Sequence, residues 1–233
     1  MLELIRREVS GRVAVVAVSE RADGDVHPIE VTADVLDARQ RSLTGRPWTM
    51  TDQVHGVECL TVDDREPWAN VAGVADVVVV PDPSRPVAVW AADCAPLVLI
   101  DSAASVIVGV HAGWRGLAGG VIDVGVDAIE QRGGAVDLAV LGPSIHACCY
   151  EFGRRDLEAV AAGVGADPDE LSSVRDGRLA LDTSNAVRAG LRRRGVALDA
   201  AGPCTGCDTR WFSHRRRADP ERHAIVAWFE DRS

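Results

Sequence analysis

Strand-length runs recur along this chain, and most are apolar from end to end. They are "RVAVVAVS" (12–19), "VECLTV" (57–62), "ADVVVV" (75–80), "PVAVWAA" (86–92), "PLVLID" (96–101), "SVIVGV" (105–110), "VDLAVLG" (136–142) and "HAIVAWF" (223–229). A strand with one wet face alternates, whereas an unbroken apolar strand is covered on both faces, as in layered α/β folds. Helix-like windows fall between the runs. Residues 32–43 offer Thr32 as a cap and Val35, Leu36 and Leu43 as one face. Residues 116–132 place Leu117, Val121, Val124, Ala128 and Ile129 at helical spacing and read as one helix stopped by Gly133–Gly134. Residues 154–163 and 183–194 also read as helices, the second capped by Asp182 or Thr183 and closed by Gly195. The polar stretch 164–178 reads as a loop or excursion. No repeat, low-complexity tract or Pro/Gly/Ser-rich linker divides the 233 residues, so a single α/β domain over 1–233 is expected.

Charge narrows the partners. The formal net charge is −10, which opposes whole-molecule attraction to nucleic acid or anionic lipid. The sequence has no lysine, which excludes a lysine Schiff base and a P-loop phosphate site. An anion must then meet arginine, histidine, backbone N–H groups or a metal. No apolar run approaches the ~18 residues of a membrane span. The start "MLELIRREVSGR" lacks the basic-then-apolar layout of a secretory signal. A cytoplasmic location is expected, and there thiols stay reduced. The six cysteines (Cys59, Cys94, Cys148, Cys149, Cys204 and Cys207) then read as thiols or ligands, not as a disulfide framework.

Three potential ligands sit where apolar strands meet turns: His55 in "QVHG", Cys94 in "ADC" and His111 in "HAGWRG". Loops at strand ends are where folds usually present chemistry. Two imidazoles and a thiolate make a three-ligand set with an open fourth position, the arrangement of catalytic zinc. Spacings of 39 and 17 residues match no local metal motif. Each of the three, taken singly, also fits a buried core residue.

The words "TDQVHG", "ADCAPLVL", "HAGWRG", "GPSIHACCYEFG" and "CTGCDTRWFSHRR" occur in that order across residues 51–217. Together they resemble the laccase-domain family, also called YfiH-like or polyphenol-oxidase-like, and the resemblance spans nearly the whole chain. It implies a four-layer α/β/β/α sandwich of mixed sheets. It also implies a purine nucleoside phosphorylase with adenosine deaminase activity, whose partners are purine nucleosides and phosphate. Carried over, the family's zinc ligands are His55, Cys94 and His111. The sequence departs from the family where Ala38-Arg39 stands for an Asn-Arg pair, and where "SERADGD" keeps Arg21 but has Asp23 for a glycine.

Phosphorolysis makes the sugar cation-like in its transition state and needs phosphate held beneath C1′. Arg39, Arg21 and Arg115 are the candidate phosphate or substrate contacts, each with a structural ion pair or solvated face as the plain alternative. Asp93, next to Cys94, is a candidate to exchange a proton with the leaving base or to orient a ligand histidine. Trp114 reads as a wall of the site or as a core tryptophan. "CTGC" (204–207) is a lone C-x-x-C; a zinc knuckle needs a second pair, and Cys148-Cys149 is the only candidate, so structural thiols are expected there. Both "RRR" runs, 192–194 and 215–217, read as solvated or ion-paired faces.

Three rivals remain. A copper polyphenol oxidase would use the His₂Cys trio with Met50 as axial ligand, although six histidines are few for a multicopper enzyme. A cysteine hydrolase would use Cys94 as nucleophile with His111 or His55 as base. A non-catalytic zinc-stabilised module would couple metal loss to unfolding. Monomer and weak dimer fit the composition equally.

Overall fold

The computed structural model describes residues 1–62, 71–81 and 85–230. The chain opens with a hairpin of β1 (Leu2–Val9) and β2 (Arg12–Val18), then runs through α1 (Ala33–Thr44). Short strands β3 (Met50–Asp52), β4 (Cys59–Thr61), β5 (Val71–Val74), β6 (Val77–Val80) and β7 (Val87–Ala91) follow. Next come β8 (Ala95–Asp101) and β9 (Ile107–Ala112), helices α2 (Trp114–Ala118) and α3 (Val121–Glu130), and β10 (Val136–Leu141). The last part carries α4 (Arg154–Val164), β11 (Ser172–Arg175), β12 (Arg178–Leu181), α5 (Thr183–Arg193), β13 (Ala200–Ala201), α6 (His214–Arg217) and β14 (His223–Glu230).

The fold is mixed α/β with several sheets. A four-stranded sheet has the order β1-β2-β14-β7, and a six-stranded sheet the order β13-β10-β8-β9-β6-β4, with parallel and antiparallel neighbours. Side-chain alternation explains the unbroken apolar runs. On β8, Leu97 and Leu99 enter one cluster with Leu117, Ile122, Leu157 and Val187 from the helices. Their neighbours Val98 and Ile100 point the other way, into a cluster with Val16, Val89 and Ile225 of the four-stranded sheet. That sheet's far side, with Val15, Trp90 and Val226, packs on Leu36, Trp48 and Met50. Both faces of the central strands are therefore dry.

Two sequence expectations change. The window 116–132 is not one helix: it breaks at Gly119–Gly120, where Gly120 adopts φ +85°, a left-handed conformation open to glycine. The window 164–178 is not plain loop: a 3₁₀ turn (Pro168–Leu171) leads into the β11–β12 hairpin. Both "RRR" runs do find partners, Arg192 on Glu170, Arg194 on Asp127 and Glu130, and Arg217 on Asp219.

Sheet register positions the site. β4 and β6 start together, Cys59 opposite Val77, while β9 ends at Ala112 opposite Ala95 at the start of β8. β6 pairs with β9 through Val77 opposite Val110. The loops that precede β4, β6 and β8 thus meet the end of β9 at one edge of the sheet.

Candidate metal centre

His55, Cys94 and His111 converge at that edge, with their potential ligand atoms all within 4.8 Å of one another. The Cys94 Sγ lies 3.7 Å from His55 Nε2, and the two imidazoles meet edge-on at 4.9 Å between centroids. His111 is buried and His55 is exposed. Gly113 makes room for the trio: a Cβ there would stand 2.7 Å from the His55 ring and 3.4 Å from Cys94 Sγ. That contact explains why a glycine follows the strand so closely in "HAGWRG". Two imidazole nitrogens and one thiol form a donor set suited to a borderline divalent cation, and a cradle closed to any side chain at 113 fits the same purpose.

Asp76 is the residue that sequence reasoning missed. It is buried at the start of β6, and its carboxylate touches the His111 Nδ1 at 2.8 Å. It also accepts the backbone N–H groups of Val54, His55 and Gly56 at 3.3, 2.9 and 2.7 Å. An Nδ1–H donated to Asp76 leaves the His111 Nε2 lone pair free for a cation, the usual arrangement behind a metal-binding histidine. The same contacts hold the 54–56 turn, in which His55 sits at φ +65°. Such backbone in a non-glycine residue is strained and persists only where surroundings over-determine it. Burial alone would raise the Asp76 carboxyl, but the His111 contact and the backbone donors hold it below its ordinary range.

The trio is poised to exchange protons for a cation. Burial opposes ionising Cys94, yet His111 and His55 overcome it and bring the thiol down to about 6. Burial also opposes charging His111, but the Cys94 thiolate and Asp76 push it up to about 9. Without a metal, each group favours the charged form of the other.

A cavity of about 460 Å³ opens over the trio, within the range of small-molecule sites. Its walls include Trp90, Trp114, Tyr150, Arg115, Arg215 and Arg222. Trp90 meets His27 at 4.6 Å with the rings tilted by 33°, and Trp114 meets Phe152 edge-on at 5.7 Å. Arg115 is exposed with its guanidinium over Trp114, and among the described residues no carboxylate pairs with it. The expected ion-pair alternative for Arg115 is therefore absent from the described residues. Arg215 lies over the Tyr150 ring at 5.1 Å. Burial, then the Cys94 charge, push the Tyr150 phenol up to about 12, so at neutral pH it keeps its proton.

Arg21 and Arg39 do not line this cavity. Arg21 bonds Asp219 at 2.6 Å and covers Phe212, and Arg39 donates to the Asp25 carbonyl at 2.5 Å. Asp93 does line the cavity, but its carboxylate is engaged elsewhere. One oxygen accepts from Thr205 (2.6 Å) and Ser213 (2.7 Å), and the other from the Arg215 backbone N–H (2.6 Å). Asp93 sits at φ +96°, so it is a strained anchor for the loops around Cys94. It does not touch His111; Asp76 does. Met50 is fully buried with Leu36 and Trp48 and does not line the cavity, leaving the trio without the axial methionine of a blue-copper centre.

Residues 21–230 match the family described as multi-copper polyphenol oxidoreductase laccase. A protein of Pseudomonas aeruginosa named purine nucleoside phosphorylase is 33% identical over 218 residues, covering 90% of this chain and 84% of that protein. A Streptomyces coelicolor protein of the same name is 34% identical over 183 residues, covering 77% and 74%. Among solved structures, the Bacillus licheniformis hypothetical protein YfiH superposes with TM-score 0.79 at 20% identity, covering 97% of this chain and 99% of that one. YlmD from Geobacillus stearothermophilus does so with TM-score 0.79 at 23% identity, covering 98% and 100%. No helix among the described residues is long and apolar enough to cross a membrane.

Proposed function

The chain belongs to the multi-copper polyphenol oxidoreductase laccase family, and we propose that it is a zinc-dependent purine nucleoside phosphorylase that also deaminates adenosine, acting in the cytoplasm. The observation that carries this reading is the open His55–Cys94–His111 trio on the floor of an aromatic- and arginine-walled cavity. The names of the relatives support the same substrate class.

His55, Cys94 and His111 would hold a divalent metal, which would supply Lewis-acid polarisation of an oxygen. The chain's residues do the rest. Asp76 fixes the His111 ring and its tautomer. Trp90, Trp114 and Tyr150 offer faces for a purine. Arg115 and Arg215 stand at the cavity wall, where a guanidinium can hold phosphate through two parallel N–H bonds. A phosphate oxygen forms the new bond to C1′ as the C1′–N9 bond breaks, and its electron pair leaves with the purine, which takes up a proton. Tyr150, still protonated at neutral pH, is a hydrogen-bond donor within the same wall. Asp93 acts by holding the loops, since its oxygens already accept three hydrogen bonds.

The test compares wild type with Cys94→Ser and His111→Ala, each checked for fold by circular dichroism and for metal by elemental analysis. Adenosine and inosine are supplied with and without phosphate. Both variants are expected to lose trio metal and turnover together, and wild type is expected to form inosine from adenosine without phosphate. Phosphorolysis by folded Cys94→Ser whose trio holds no metal overturns the reading. Turnover that survives chelation but not alkylation of Cys94 favours instead a cysteine hydrolase built on the 3.7 Å Cys94–His55 contact.

A further inference from the structure

A second cluster of sulfur atoms lies outside this trio. The turn at 146–149, closed by the Cys149 N–H donating to the His146 carbonyl at 2.9 Å, carries Cys148 and Cys149. The turn at 204–208, closed by the Cys207 and Asp208 N–H groups on the Cys204 carbonyl, carries Cys204 and Cys207. A parallel bridge between Ser144 and Cys204 lays the two turns side by side. All four sulfurs then fall within 4.8 Å of one another. Cys148 Sγ and Cys149 Sγ stand 3.3 and 3.5 Å from Cys207 Sγ. Four thiolates around zinc at about 2.3 Å have sulfurs roughly 3.8 Å apart, so the cluster has the size of such a cage.

Two further observations single out a ligand cage over a chance meeting of thiols. The Cys204 sulfur accepts the backbone N–H of His146 at 3.4 Å, a donor that suits a thiolate. Gly206 is a close approach: a Cβ there would stand 2.7 Å from Cys149 Cβ and 2.8 Å from its Sγ. Arg215 and Arg216 line the adjoining cavity with Cys148 and Cys149, and supply positive charge beside a cage that would carry net negative charge.

We propose that Cys148, Cys149, Cys204 and Cys207 form a second, closed metal site that holds a structural Zn²⁺ and pins the two loops forming one wall of the trio's cavity. Binding displaces the thiol protons to solvent and forms four zinc–sulfur bonds, with no redox step. The pinned loops carry Ile145 and Tyr150 on one side, and Thr205, Ser213 and Arg215 on the other. The second set holds Asp93, so this site acts on the first through position alone.

The test is zinc content of the purified, reduced full chain by elemental analysis, for wild type, Cys94→Ser and Cys207→Ser, followed by cobalt exchange. About two zinc ions per chain are expected in wild type and about one in each variant. In Cys94→Ser, whose four clustered cysteines are intact, cobalt gives the sulfur-to-metal charge-transfer bands of a tetrathiolate. In Cys207→Ser those bands vanish. A folded Cys94→Ser protein that binds no zinc overturns the proposal, as does an intact mass showing disulfides where the metal should be. One zinc in both wild type and Cys94→Ser, with the tetrathiolate spectrum, keeps this site and removes the metal from the trio instead.

Discussion

The trio and the four-cysteine cluster share thiol donors and differ in the other ligands and in what surrounds them. The trio has two imidazoles and one thiolate, faces a cavity of about 460 Å³, and is held from behind by one buried carboxylate. The cysteine cluster has four sulfurs, the His146 N–H on Cys204, and a glycine packed against it. Three ligands with an open side suit substrate chemistry, whereas four close the metal off. The lesson is that ligand count and cavity, more than the presence of cysteine and histidine, set the two clusters apart.

The comparison breaks most readily at the trio. Cys94→Ser should abolish turnover while circular dichroism stays native, because the trio loses its thiolate ligand. Asp76→Asn comes next. It leaves the ligands in place but weakens the hold on the His111 tautomer, and metal affinity should fall about 10–100-fold, read by competition with a chromophoric chelator. Cys207→Ser should affect KM more than kcat, since it loosens the wall and leaves the metal floor alone; an unchanged KM would argue that the wall stands without its brace. Proton competition sharpens the trio further. The Cys94 thiol titrates near 6 and His111 near 9. Between those values the thiol is ionised and the imidazole charged, so each metal bound displaces about one proton and affinity rises with pH. Below about 6 a second proton competes and affinity falls more steeply; above about 9 the dependence flattens. Titration calorimetry in buffers of different ionisation enthalpy reads that proton count. Smallest of all, Arg21→Ala and Arg39→Ala should leave the KM for phosphate within about twofold, since Arg21 is engaged by Asp219 and Arg39 by the Asp25 carbonyl and neither lines the cavity. Arg115→Ala, at the cavity wall, should raise it.

The runs "PLVLID" and "SVIVGV" announced β8 and β9, because an apolar strand covered on both faces leaves an unbroken signature. The strand β1, "LELIRREV", left none: it lies at a sheet edge and its charged residues alternate with partly covered ones. The helix break at Gly119–Gly120 was hidden by apolar spacing that continues across it. In the site, the strand-end positions of His55, Cys94 and His111 were visible, but their convergence depends on register between four strands, which periodicity does not encode. Asp76 carried a signal of a kind, a lone carboxylate at the head of the apolar run "ADVVVV", where burial demands a partner. The four cysteines could be named as the only two pairs to combine, but one pair is contiguous, outside the usual ligand spacing, and their meeting depends on two turns laid side by side at the Ser144–Cys204 bridge.

The most direct measurement is the fate of the sugar. Zinc-loaded protein is incubated with inosine in buffers with and without phosphate, and free base, ribose and ribose 1-phosphate are separated by chromatography. Phosphorolysis predicts hypoxanthine and ribose 1-phosphate in equal amounts, and only where phosphate is present. Hypoxanthine with free ribose in the absence of phosphate, or no cleavage in either buffer, would contradict it.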